Sequence, residues 1–108
     1  MANKKIIPEF DNIRCMGFDK GIPHVKEFVL REIPQLRLMG EYKQNSGYWG
    51  LTLAVQRFNV FIGFDRGSLD YKISMDDKDI YLVILYPELP SFMVVSEINV
   101  NNVLLIFK

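Results

Sequence analysis

Cysteine and histidine are nearly absent from this sequence. Cys15 is the only cysteine and His24 the only histidine among 108 residues. A single cysteine excludes a disulfide within the chain and, with one histidine, leaves too few nitrogen and sulfur ligands for a structural zinc site. A catalytic pair of Cys15 and His24 would need hydrogen-bonding contact, and we expect instead a buried cysteine and a surface histidine. The cysteine count favours a reducing, cytoplasmic location.

Net charge and long hydrophobic runs are also lacking. The 13 basic and 13 acidic side chains cancel to a formal net charge of +0, so no overall field favours nucleic acid or an anionic membrane. The longest apolar run, residues 103–107, is far shorter than the roughly 20 residues of a membrane-spanning helix. The segment before Pro8 is too polar for a signal peptide. We therefore expect neither nucleic acid nor membrane as a partner.

Sequence motifs of common enzyme classes are missing too. There is no glycine-rich phosphate loop, no dinucleotide-binding fingerprint, no His-Glu-x-x-His and no Gly-x-Ser-x-Gly. Three acids in one short segment, Asp76, Asp77 and Asp79, could hold a divalent cation but are more typical of a solvated turn. We predict no metal, no cofactor and no catalytic residue.

One acidic pattern leaves a metal-dependent nuclease as an alternative. Glu27, Asp65 and the triplet 70–72 (Asp-Tyr-Lys) supply acids that could hold magnesium and a lysine that could stabilise charge at a phosphate. The same acid-x-Lys triplet recurs at residues 41–43, and no basic track accompanies either copy. We expect this nuclease arrangement not to form.

The composition that remains is that of a packed globular protein. Hydrophobic residues make up 49% of the chain, with eight Phe and five Tyr, and the length suits one domain over residues 1–108. Pro23 favours a helix start, and apolar residues then recur every three or four positions until Pro34. These predict one N-terminal amphipathic helix at about 23–33.

Period-two alternation predicts an antiparallel β-meander from about residue 48 to residue 86. Large apolar side chains alternate with small or polar ones over 49–56 and 59–65, so each segment should be a half-buried strand. Residues 65–68 have the composition of a hairpin turn, a third strand follows over 69–75, and the apolar run 80–86 should be a buried strand. Residues 40–47 should be a connector, and 103–107 a short C-terminal strand or docked tail. The predicted class is α+β.

The segment 59–73 resembles the central hairpin of small bacterial immunity proteins that protect cells against polymorphic or contact-dependent toxins. The likeness lies in a strand, an Asp-Arg-Gly turn at 65–67 and a second strand. It implies a non-enzymatic inhibitor that binds a cognate toxin domain. Another accessory protein-interaction module and a small-ligand binder remain alternatives.

The expected contact region combines one outward aromatic residue with the charged turns. Phe58 and Phe61 are the aromatic residues that could face outward, and an exposed aromatic on a sheet is typical of a protein contact. Acids at the loop ends would suit a basic partner. The predicted partner-binding residues are Phe61, Asp65, Arg66, Asp70, Asp76, Asp77 and Asp79.

Overall fold

A computed structural model describes residues 18–66, 68–89 and 93–108. Three α-helices, five strands and a terminal 3₁₀ turn make up these parts of the chain. In order they are α1 (Phe18–Glu32), β1 (Arg37–Lys43), β2 (Trp49–Val55), β3 (Phe58–Asp65), β4 (Ser68–Met75), β5 (Lys78–Ile80), α2 (Leu82–Leu85), α3 (Glu97–Val103) and the 3₁₀ turn (Leu104–Phe107). The predicted α+β class with an antiparallel sheet is confirmed.

The five strands form one sheet in the order β1-β2-β3-β4-β5, with every neighbouring pair antiparallel. Two-residue turns join β2 to β3 and β4 to β5. In the last turn Asp76 and Asp77 have φ of 52° and 69°, the positive values that a type I′ hairpin turn requires at both central positions. Gln56 opens the first of these turns with φ of 53°, so residues 56–57 form a tight turn.

One face of the sheet, which we call the inner face, carries the hydrophobic core. Helices α1 and α3 pack on this face and on each other. Arg31 of α1 lies 3.8 Å from Glu97 of α3, and Lys108 lies 2.5 Å from Glu32. The fully buried side chains at the centre of the core are Trp49, Leu51, Leu53, Ile62, Ile73, Leu104, Val25, Val29, Val60, Val95 and Val100.

Helix α1 starts earlier than the predicted residue 23, and it is not N-terminal as predicted, since 17 residues precede it. It begins at Phe18 and contains Pro23 as its sixth residue, a position where proline removes one intrahelical hydrogen bond. The predicted end near Glu32 is confirmed. The predicted apolar face is confirmed as well, since Ile22, Val25, Phe28, Val29 and Ile33 are all buried.

Strands β2, β3 and β4 agree with the prediction to within about one residue at each end, but the flanking segments do not. Residues 37–43 form β1 although most were expected to be a connector. The predicted strand at 80–86 is wrong, since only Ile80 is in a strand and residues 82–85 form the single-turn helix α2.

The predicted C-terminal strand is also wrong, because α3 and the 3₁₀ turn occupy that region. Ser96 caps α3 by accepting a hydrogen bond from the Asn99 amide at 3.2 Å, which satisfies a backbone donor that a helix start leaves free. Val100, Val103 and Leu104 then fall on one buried face. No helix within the described ranges is long and apolar enough to cross a membrane.

Candidate binding cleft on the outer sheet face

The opposite face of the sheet, the outer face, carries Phe61 near its centre. The predicted outward direction of Phe61 is confirmed, and its half-buried ring lies over Gly50 and Gly63. A Cβ atom added at Gly50 would lie 2.4 Å from the ring, and one added at Gly63 would lie 3.0 Å from it. Both positions must therefore lack a side chain for the ring to lie flat on the sheet.

Phe58, the other predicted outward aromatic, faces the opposite way. It shares the inner face with Val60 and Ile62, since side chains alternate along a strand. Its ring packs edge-on against Phe107 with centroids 5.2 Å apart. The prediction for Phe58 is therefore wrong, because residues 58 and 61 have opposite parity within β3.

A cleft of about 540 Å³ opens between Phe61 and the segment that follows β5. β5 ends at Ile80, so the chain leaves the sheet there and creates one wall of the cleft while β4 forms the floor. The lining residues are Tyr48, Phe61, Asp70, Tyr71, Lys72, Asp79, Ile80, Tyr81, Leu82 and Val83. Aromatic rings and charged groups thus meet in one concave surface, which is the usual form of a binding site.

Tyr48 and Asp70 form the hydrogen bond at one end of this cleft. The Tyr48 hydroxyl donates to Asp70 Oδ2 at 2.9 Å, and the Tyr48 ring meets Tyr42 edge-on with centroids 5.3 Å apart. Burial, the hydrogen bond to Asp70 and the negative charges of Asp70 and Asp65 raise the pKa of Tyr48 to about 12. Each of these effects disfavours the deprotonated phenolate form of the side chain. Tyr48 therefore remains a hydrogen-bond donor across the neutral range.

Lys72 and Asp79 form an ion pair along the floor of the cleft. The two charged groups lie 3.7 Å apart on adjacent strands, and both side chains are largely open to solvent, so the pair contributes little to stability. It does balance the charge of Asp79. Asp70 is then the only carboxylate lining the cleft that has no basic partner among the described residues.

An apolar ridge continues from the wall of the cleft. It consists of Tyr81, Val83, Ile84 and Leu85, whose exposed fractions are 61%, 54%, 74% and 52%. Leu82 is the one buried residue of α2 and anchors the segment to the core. Four large exposed apolar side chains within five residues are unusual on a surface where single ones are common.

The structure divides the predicted partner-binding residues between the cleft and two turns at opposite ends of β4. Phe61, Asp70 and Asp79 line the cleft. Asp65 and Arg66 lie at the turn between β3 and β4, where the Arg66 side chain is 94% exposed and 3.9 Å from Asp65.

Asp76 and Asp77 lie at the opposite end. The eight residues of β4 separate the two turns, a distance of roughly 25 Å at about 3.3 Å per residue. Asp76 is moreover paired with Arg57 from the neighbouring turn. The acids therefore do not form one cluster.

The nuclease arrangement does not form. Glu27 belongs to α1, on the inner side of the sheet, whereas Asp70 and Lys72 line the cleft on the outer side. Among the residues that the structure describes, no group of three or more His, Cys, Asp or Glu side chains could hold a metal ion. His24 is exposed on α1, and Cys15 lies outside the described residues.

Sequence reasoning missed the ridge and Tyr48. The sequence predicts a buried strand for the apolar run at 80–86, whereas Tyr81, Val83, Ile84 and Leu85 are exposed. The sequence places Tyr48 at the start of the predicted meander. Its position one residue before Trp49 places it on the outer face by alternation, which was the available signal.

No protein-family model matches this sequence, and no curated protein or solved structure is significantly similar to it.

Proposed function

We propose that this protein is a non-enzymatic protein-binding module that neutralises a bacterial toxin by direct contact, and that the cleft and the apolar ridge form its contact surface. The exposed ridge carries the proposal. Leu82 alone anchors α2, so folding does not require large apolar groups at positions 83, 84 and 85. Polar residues there would keep the fold and remove the exposed apolar area, which makes a binding role the better explanation.

The arrangement around the ridge also suits a protein contact. An apolar centre with a polar and charged rim is the usual anatomy of an interface. Here the ridge adjoins Phe61 across the cleft, and Asp70, Lys72 and Asp79 supply the charged groups beside it. The β3–β4 hairpin that resembles immunity proteins provides three of these four residues, which supports the toxin-neutralising form of the proposal.

A small-ligand site is the second candidate, favoured by the volume of the cleft. About 540 Å³ lies within the range of ligand pockets. The polar groups of the cleft, however, already contact each other as Tyr48 with Asp70 and Lys72 with Asp79. Few remain to fix the orientation of a small molecule, whereas a protein partner gains most of its affinity from apolar area.

The test is co-expression with the product of the reading frame next to this protein's own. We expect the protein to restore growth and to co-purify with that product. Ile84→Ser should weaken binding by about tenfold or more, because burial of an isoleucine side chain is worth about 1.5–3 kcal/mol. Met39→Ser is the matched control, since Met39 is 57% exposed on the distant edge strand β1.

Three outcomes would contradict the proposal. The first is the absence of rescue and of co-purification. The second is equal binding by the wild type and Ile84→Ser, when circular dichroism shows that both proteins are folded. The third is that the ridge mediates sedimentation with anionic phospholipid vesicles or dimerisation of this chain, either of which would assign the apolar surface to another contact.

A further inference from the structure

We propose that the cleft receives an arginine side chain from an extended segment of the protein partner. The inference rests on the proposed function for the existence of that partner, and it adds the chemistry of the contact. Three features of the cleft support it: a carboxylate without a basic partner among the described residues, aromatic side chains in the lining, and a stretch of the β4 edge to which no described backbone group is bonded.

Asp70 supplies the carboxylate that has no basic partner among the described residues. It is half-buried, and its Oδ2 accepts the Tyr48 hydrogen bond at 2.9 Å, which fixes the orientation of the group. No described residue donates to its Oδ1. Gly63 is its direct neighbour on β3, and the Phe61 ring lies over that glycine, so an aromatic ring adjoins the carboxylate on that side. A guanidinium can bind such a carboxylate through a charge-assisted hydrogen bond, which is among the stronger polar contacts in proteins.

The charge of the cleft matches a cation. Its charged lining residues are Asp70, Lys72 and Asp79. Lys72 lies 3.7 Å from Asp79 and balances it, which leaves the negative charge at Asp70 uncompensated within the cleft. A basic side chain would restore neutrality at the position where the cleft is partly shielded from water.

Aromatic walls favour arginine over lysine. Phe61, Tyr48 and Tyr81 all line the cleft, and Tyr48 is hydrogen-bonded to Asp70. The planar guanidinium stacks on aromatic faces and loses less hydration than an ammonium when it does so. An arginine side chain can therefore contact the rings with its plane while its N–H groups reach Asp70.

The edge of β4 at Tyr71, where no described backbone group is bonded, suits an extended partner segment. The Leu69 amide donates to the Met93 carbonyl at 2.7 Å, away from β3, while Ile73 pairs with Ile80 of β5. Backbone groups two residues apart point the same way in a strand, so the amide and carbonyl of Tyr71 point from β4 towards the cleft between these two contacts. A partner chain in extended form could bind them, as in β-strand addition.

The experiment is an NMR titration of the isotope-labelled protein with N-acetyl-arginine methylamide. N-acetyl-citrulline methylamide is the neutral control of the same shape. We expect saturable shifts at the amides of Asp70, Tyr71 and Phe61 with the arginine compound only, at a low-millimolar dissociation constant. Asp70→Asn should weaken this binding at least about fivefold, since a neutral amide replaces the charged acceptor.

Asp77→Asn is the matched control variant. It removes the same charge from an exposed turn outside the cleft and should bind the arginine compound as the wild type does. Equal binding of the arginine and citrulline compounds, no saturable shift, or no effect of Asp70→Asn would overturn the inference. Arginine binding that depends on Asp70, combined with a failed co-expression test, would overturn the proposed function and leave the cleft assignment standing.

Discussion

Replacement of Gly63 by alanine tests how closely the strands approach under Phe61. The new Cβ atom would lie 2.5 Å from the Trp49 carbonyl oxygen and 3.1 Å from the Gly50 Cα. These are backbone atoms of the paired strand β2, so no side-chain rotation can relieve the contact. The strands must separate locally, in a region where Trp49 is fully buried.

The expected cost follows from two opposing effects. Added methyl groups in a tightly packed site typically cost about 1–3 kcal/mol. Alanine returns roughly 0.5–1 kcal/mol because it loses less backbone entropy than glycine on folding. We therefore expect Gly63→Ala to lower the free energy of unfolding by about 1–2 kcal/mol.

Gly50 and Gly40 provide the comparisons. At Gly50 the new atom meets mainly the Phe61 ring at 2.4 Å, and a half-buried ring can swing away. Gly50→Ala should therefore cost less than Gly63→Ala, and its cost should disappear in a Phe61→Ala background, whereas that of Gly63→Ala should persist. Gly40, on the neighbouring strand β1, has nothing within 4 Å of a new Cβ, so Gly40→Ala should be neutral or stabilising.

Urea unfolding followed by circular dichroism measures all of these variants on one scale, with double-mutant cycles isolating the contribution of the ring. Equal stability of Gly63→Ala and Gly40→Ala would refute the argument. So would a cost of Gly63→Ala that vanishes when Phe61 is removed, because the backbone contact would then carry no energy.

Three further predictions concern single groups. Tyr48 should titrate near pH 12, against an ordinary value of 10.0, so its contribution to stability is full below about pH 10 and is lost as the pH rises through 12. Comparing the ultraviolet absorbance of wild type and Tyr48→Phe across this range measures the pKa of Tyr48. Asp70→Asn should lower that pKa only partly, because burial is the largest cause of the shift. Ser96→Ala should cost about 1 kcal/mol in thermal unfolding by removing the cap bonded to Asn99, and an unchanged midpoint would contradict this. Asp77→Gly should raise the unfolding free energy by a few tenths of a kcal/mol because φ is 69° there, and a loss of stability in urea would argue against strain at this turn.

The central strands could be predicted from the sequence because one face of each is buried. Alternation at 49–55 and 59–65 reflects that burial directly, and it also placed Phe61 on the outer face. β1 gives no such signal, since six of its seven residues are exposed and the seventh, Gly40, is only partly buried. Its hydrogen bonds to β2 define it as a strand, and a sequence pattern does not display them.

The predictions for the two segments after β4 are wrong for different reasons. The run at 80–86 is too short for its period to separate a strand from a helix, and its exposed ridge contradicts the assumption that apolar runs are buried. The α3 segment did carry a signal. Ser96 followed by Glu97 is typical of a helix start, and Val100, Val103 and Leu104 have helical spacing; the asparagines between them obscured it.

The neighbour-to-neighbour order of the sheet also has a consequence for how the chain folds. Each hairpin closes over only a few residues, so its formation costs little loop entropy and is fast. Contacts between α1 and α3, such as that of Arg31 with Glu97, join residues that are far apart in the sequence and should form last. We expect pulsed hydrogen-exchange labelling during refolding to find β2, β3 and β4 protected before α3, and simultaneous protection would show that the sheet needs its helices from the start.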